Sequence, residues 1–390
     1  MAFVLVQAAI CLLISEAIIR FAAGFSRTVR SFMNYSYGEW QNWRKYEKAG
    51  TLKDLLEVAP NPRWEPLEKY CGYILNSRGL RTPEYDAAKK PGSRRIVLIG
   101  DSFLILPSGP DDRFNISNCL RRETWRDGHP VETINLGVEC TGPRFYLRMM
   151  ELEGSRLGAD CILVFLYAGN DLTDEPMQPE PAGISQSMLK HLYTYRLFRT
   201  CRILLTGITM TSLPPDFPPL IPAKHGKGGY FEGGGPGTSE VSASTEKAWI
   251  DMQIGHTGIY AEPWGPGLLM QWRAMTGVLQ RMKQVADDRH APLLLVIIPD
   301  ATQTIDSLQV LARSKFPGIR LDFDKPQREL KACCRNYGIA VVDLLPAFRK
   351  ASRQGKTLYR VNDAHWNNYG QVLAARIIAP YVSRTADWHP

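Results

Sequence analysis

Five residues scattered along the chain bear groups that together could run acyl transfer: Ser102, Gly137, Asn170, Asp363 and His365. A serine hydroxyl becomes a nucleophile when a base takes its proton, and the imidazole of His365 is such a base. The imidazole in turn needs an acceptor on its second nitrogen, to fix its tautomer and stabilise the cation it becomes. Asp363, two residues before His365, supplies a carboxylate, and Asn362, three residues before it, offers a neutral carbonyl oxygen. Charge favours Asp363, although a two-residue offset on a tight turn can aim a side chain away. The oxyanion formed on attack needs neutral, fixed donors. The Gly137 amide, the Asn170 side-chain amide and the Ser102 backbone N–H are of that kind, each typically worth ~3 kcal/mol in the transition state. Taken alone, Gly100-Asp101-Ser102 and Gly169-Asn170-Asp171 are ordinary turns, so the elements that carry them decide what they mean.

Ser102 ends the run Arg95-Ile96-Val97-Leu98-Ile99-Gly100-Asp101-Ser102. Its unbroken apolar, β-branched stretch predicts a strand buried on both faces, as in parallel sheets. Residues 131–137 read as a second strand ending at Gly137, and 161–167 as a third, leading to Asn170. Residues 292–299 and 339–344 read as two more, and helical spacing fills 115–126, 144–156, 268–290, 325–337 and 371–379. Strands alternating with helices predict a parallel α/β sheet with right-handed crossovers. In such a sheet all carboxyl ends reach one edge, where ligands bind, so Ser102 and His365 can meet there although far apart in sequence.

The flanks read differently. Residues 1–25 are apolar apart from Gln7, Ser15, Glu16 and Arg20, and predict a helix serving as a membrane anchor or uncleaved signal-anchor. Glu16 and Arg20 stand one turn apart and can pair within it. Residues 26–92, rich in Trp, Tyr and charge, read as an N-terminal cap, and 175–267 as an inserted lid-like segment. The insertion carries a basic-faced helix over 188–205, then Pro-rich and Gly-rich stretches. No phosphate loop is spelled there, because its glycines neither follow a strand nor open a helix. The catalytic domain is thus expected in two parts, 93–174 and 268–390.

The chain of 390 residues is 44% hydrophobic, enough for a sizeable core, and carries a net charge of +8. Its basic residues are dispersed, and with no nucleic-acid module in sight they read as a solvated surface. The eight cysteines form no CxxC and no Cys/His ligand spacing, so no metal site is indicated. A pairing such as Cys119 with Cys140 is not deducible from sequence.

At its four blocks the chain resembles the SGNH (GDSL-type) hydrolase family. Gly100-Asp101-Ser102 matches the first block, Asn135-Leu136-Gly137 the second, Gly169-Asn170-Asp171 the third and Asp363-Ala364-His365 the last. The resemblance implies a three-layer α/β/α domain with a flavodoxin-like parallel sheet, no metal or cofactor, and ester hydrolysis through an acyl-enzyme. The family's usual pattern has its Asp three residues before the His, where this chain has Asn362. The Asp363-Ala364-His365-Trp366 spelling resembles the branch of alginate O-acetyltransferase-type proteins, which modify exported polysaccharides. The expectation is a membrane-attached serine esterase acting outside the cytoplasm on O-acyl, chiefly O-acetyl, groups of carbohydrate. The alternatives are an O-acetyltransferase with the same Ser-His-Asp chemistry and a catalytically silent carbohydrate-binding protein.

Overall fold

A computed structural model describes residues 2–25, 45–59, 69–70, 73–105, 112–125, 129–173, 192, 194, 197 and 246–386. The chain forms two compact units, Met1–Arg44 with Pro176–Ser212, and Lys45–Glu175 with Leu213–Pro390.

In the first unit Ala2–Phe25 is helix α1. Glu16 and Arg20 pair across one of its turns at 2.7 Å, as their spacing predicts. The other Glu16 oxygen accepts from Thr194 N and Oγ1 at 2.9 and 3.0 Å. Among the described residues no helix is long and apolar enough to cross a membrane, so the expected anchor rests on sequence alone. The helix expected over 188–205, single residues apart, and the Pro-rich and Gly-rich stretches lie outside the described residues.

The second unit begins with helix α2 (Leu52–Glu57), closed by a Thr51/Asp54 capping box. A hairpin follows, of β1 (Lys69–Tyr70) and β2 (Tyr73–Ile74). The main sheet and its helices come next, in chain order: β3 (Arg94–Ile99), α3 (Ser102–Ile105), α4 (Ile116–Thr124), β4 (Val131–Asn135), α5 (Pro143–Leu152) and β5 (Cys161–Tyr167). Then come α6 (Glu246–Gly255), α7 (Pro266–Asp287), β6 (Leu293–Ile298), α8 (Ala301–Thr304), α9 (Asp306–Lys315), α10 (Lys325–Tyr337), β7 (Ala340–Asp343), α11 (Leu345–Arg353) and α12 (Asn368–Thr385).

The five strands β4-β3-β5-β6-β7 are all parallel in that order. Every residue of β5 and β6 is buried, which is why they read as unbroken apolar runs, whereas edge strand β7 is partly exposed. The step from β3 to β4 runs along the sheet opposite to every later step. Right-handed crossovers therefore put α4 on one face and α5, α7 and α10 on the other. Helix α12 returns to pack on α4, and α7 packs on α5, giving the three-layer α/β/α architecture expected. The reversal makes the end of β3 the topological switch point, the customary ligand site of such sheets.

The inserted segment is shorter, as a separate piece, than its composition suggests. Ile254, Ile259, Tyr260 and Trp264 share a buried cluster with Leu268, Leu321 and Phe323. Residues 246–267 thus pack as part of the domain. Cys119 and Cys140 form no disulfide; the former is buried and the latter exposed.

Candidate active site

Ser102 opens α3, immediately past the carboxyl end of β3, and its neighbourhood is fixed from several directions. Asp101 is buried, and its carboxylate accepts from Phe103 N at 3.0 Å, closing the turn. The Leu104 carbonyl accepts from Asn115 Nδ2 at 3.0 Å and from Asn135 Nδ2 at 2.8 Å. The Arg81 guanidinium donates to the Ile105 carbonyl. These donors satisfy carbonyls that so short a helix leaves unpaired.

His365 comes from the far end of the chain, on the loop between α11 and α12. An antiparallel bridge joins Tyr359 to Trp366, and Arg360 N donates to the His365 carbonyl at 2.9 Å. Residues 361–364 form the turn between them, with Asn362 at φ +50°, a left-handed conformation that Asn tolerates better than most residues.

The geometry is a row. Ser102 Oγ lies 2.7 Å from His365 Nε2, and His365 Nδ1 lies 2.5 Å from Asp363 Oδ1. The same carboxylate oxygen accepts from the His365 backbone N at 3.0 Å. Of the two candidates for the ring's acceptor, Asp363 is in contact with Nδ1. Burial alone would raise the Asp363 carboxyl. The charge and hydrogen bonds of His365, with the charge of Arg360, hold it instead at about 2. Asp101 behaves oppositely: burial pushes it up to about 6 against the pull of Phe103 N–H and His365.

Gly137 and Asn170 follow β4 and β5, the two neighbours of β3, so they share the sheet edge with Ser102. A Cβ on Gly137 would fall 2.5 Å from Leu104 Cβ, so only glycine fits beside α3. Its N–H donates to Asn135 Oδ1 at 2.9 Å. A part for that amide in an oxyanion hole therefore calls for the bond to be shared with the incoming oxygen. Asn170 sits on a turn tied by Asp171, which is fully buried and accepts from Tyr167 N at 2.8 Å and from Tyr146 OH. Asn170 Oδ1 is buried without a donor. A Cβ on Gly169 would strike the Tyr167 ring at 2.5 Å, which requires glycine there too.

Aromatic rings fill the floor. Phe103 lies 4.9 Å from the His365 ring, 4.4 Å from Tyr167 and 5.5 Å from Trp366 between centroids. Tyr167 OH donates to Asp300 Oδ1 and Tyr260 OH to Asp300 Oδ2, both at 2.7 Å, just past the end of β6. Among the described residues no group of three His, Cys, Asp or Glu is placed to hold a metal ion. Sequence reasoning missed Arg81, Asn115, Arg360 and the Asp300 cluster. It quoted Asn135 and Trp366 without giving them a role.

The architecture and site define an α/β protein with a Ser–His–Asp row at the switch point of a flavodoxin-like sheet. Residues 271–389 match the family model described as SGNH hydrolase-like domain, acetyltransferase AlgX. The matched segment contains Asp363 and His365 and begins after Ser102, Gly137 and Asn170. No curated protein matches the chain. Solved structures that resemble it include a putative acylhydrolase from Bacteroides fragilis, at 11% identity and TM-score 0.38, covering 77% of this chain and 91% of that one. Another is the acetyl xylan esterase AlAXEase, at 13% identity and TM-score 0.38, covering 74% of this chain and 98% of that one.

Proposed function

We propose that this protein is a serine-dependent acyl-ester enzyme that attacks O-acyl, chiefly O-acetyl, groups on carbohydrate through an acyl-enzyme. The observation that carries this reading is the hydrogen-bonded row Ser102 Oγ–His365–Asp363, at 2.7 and 2.5 Å. In the first half-reaction Ser102 Oγ bonds to the ester carbonyl carbon while His365 Nε2 takes its proton. The carbon–oxygen bond to the sugar then breaks, and the proton passes from His365 to the departing sugar oxygen. The acyl group is left on Ser102, and Asp363 balances the imidazolium in both steps. In the second half-reaction water bonds to the acyl carbon and gives a proton to His365; the bond from that carbon to Ser102 Oγ then breaks, His365 returns the proton to Ser102 Oγ, and the carboxylic acid leaves.

A second reading, an O-acetyltransferase, differs only in the acceptor: a sugar hydroxyl replaces water. The match to an acetyltransferase family model favours it. Membrane attachment through residues 1–25, with the catalytic domain outside the cytoplasm, belongs to the proposal on sequence grounds. Recovery of the full chain in the soluble fraction after lysis would remove that part.

The deciding experiment is labelling by a fluorophosphonate probe alongside turnover of p-nitrophenyl acetate. The parent protein should do both, and folded Ser102→Ala neither. Folded parent protein that neither labels nor turns over would instead leave the silent carbohydrate-binding reading. Adding oligosaccharide then separates hydrolase from transferase: an ester-cleaving enzyme releases acetate regardless, whereas a transferase hydrolyses slowly and adds acetyl mass to its acceptor.

A further inference from the structure

Asp363 has two carboxylate oxygens, and only one is used by His365. The other, Oδ2, faces Arg360, whose Nη1 lies 3.3 Å away. Arg360 also donates its backbone N–H to the His365 carbonyl at 2.9 Å. One residue thus holds both partners of the relay, the ring through the main chain and the carboxylate through the side chain.

Its surroundings mark it as more than a surface ion pair. The Arg360 side chain is 18% exposed and that of Asp363 7%. Arg360 Nε is buried with no hydrogen-bond partner, a costly arrangement for a donor. A chain that retains this cost beside its reactive groups retains the guanidinium for something other than hydrogen-bond economy. The resting relay supplies the reason. When His365 is neutral and ready to accept a proton, it brings no charge to offset the burial of Asp363. The guanidinium of Arg360, the kind of cation best suited to a buried ion pair, supplies that charge instead. Asp101, buried next to Ser102 in the chain, also acts on His365 by charge, and it is an acid.

We propose that Arg360 is a positioning residue of the relay: its guanidinium grips the outer oxygen of Asp363, keeping the carboxylate charged and aimed at His365 across the two-residue spacing. The role rests on the acyl-enzyme reading above. It also offers a physical account of how the shortened spacing works. A carboxylate on so tight a turn could swing away, and a second, oppositely placed contact fixes its plane.

The test compares Arg360→Met, which removes the charge at similar length, with Arg360→Lys, which keeps it. In p-nitrophenyl acetate turnover, Arg360→Met should lower kcat by roughly tenfold or more while KM stays within about twofold, and Arg360→Lys should recover most of the loss. In parallel, the Asp363 carboxyl followed by 13C NMR should titrate clearly higher in Arg360→Met than in the parent. A folded Arg360→Met with kcat within about twofold of the parent, or with its loss confined to KM, overturns the proposal. So does an Asp363 titration that does not move. Should Arg360→Met fail to fold, Arg360→Gln, which retains a donor, gives the same readouts. The titration needs no turnover, so an inactive parent would strike the functional reading while the grip on Asp363 is still decided.

Discussion

Trp366 Nε1 donates to the Phe103 carbonyl at 2.9 Å, joining two residues 263 positions apart. Phe103 adjoins Ser102 and Trp366 adjoins His365, so the bond spans the Ser102–His365 contact one residue out on each side. Both side chains are 1% exposed, and their rings meet edge to face at 5.5 Å. The Ser102–His365 separation is therefore set by packed backbone as well as by the contact between the two side chains.

Trp366→Phe keeps a ring in place but strips this donor from a buried carbonyl. Leaving such an acceptor unpaired costs about 1–3 kcal/mol, which should appear as a melting temperature lower by several degrees. Turnover of the variant, measured well below its melting temperature, should fall roughly tenfold because His365 is no longer held at one distance from Ser102. Unchanged turnover at reduced stability would show that the bond braces the fold and not the site.

How far sequence anticipated this arrangement depended on where the information lies. Strand β5 and helix α10 were legible to the residue, because one is an unbroken apolar run and the other closes on Gly338 at φ +67°. Helices α8, α9 and α11 went unread, being short or polar on most of their turns. Helix α12 runs from Asn368 to Thr385 through Pro380, where a sequence reading stops. Asn367 supplies its start, accepting from Gly370 N with its side chain. Ser102, His365 and Asp363 were legible as candidates because the proposed chemistry is specific to their residue types. Arg360 and Asn115 were not, because an arginine or an asparagine acquires such a role only from tertiary placement. Residues 246–267 looked like part of an insertion, since neighbouring Gly-rich sequence masks the core-forming Tyr260 and Trp264.

The turn that aims Asp363 invites a paired substitution. Asp363→Asn preserves shape but replaces the charge that stabilises imidazolium, and turnover should fall by up to ~10⁴. Asn362 contributes backbone conformation, with φ at +50°. Asn362→Gly, which enters that region freely, should keep turnover within about threefold of the parent, whereas Asn362→Ala should cost about 1 kcal/mol of stability. Rates with p-nitrophenyl acetate and chemical melts of the three variants check both statements. Turnover lost in folded Asn362→Gly would mean that the Asn362 side chain serves the relay directly.

Two buried carboxyls beside His365 should give stability opposite pH slopes in adjoining windows. Asp363 is held at about 2 against an ordinary 3.8, so its contribution is present above about pH 4 and is lost as pH falls towards 2. Asp101 is raised from 3.8 to about 6. The folded state then grips its proton more tightly than the unfolded chain does. Its contribution is complete below about pH 4 and is lost as pH rises through about 6. The shift corresponds to roughly 3 kcal/mol at most. Asp101→Asn retains a side-chain oxygen for Phe103 N and cannot ionise, so it should remove this slope. Unfolding free energies from urea melts at pH 4.5 and 7 provide the check, with the variant gaining on the parent at the higher pH. A parent–variant difference that is the same at both values would mean that Asp101 does not titrate between them, and that its carboxylate is solvated or paired more fully than its burial implies.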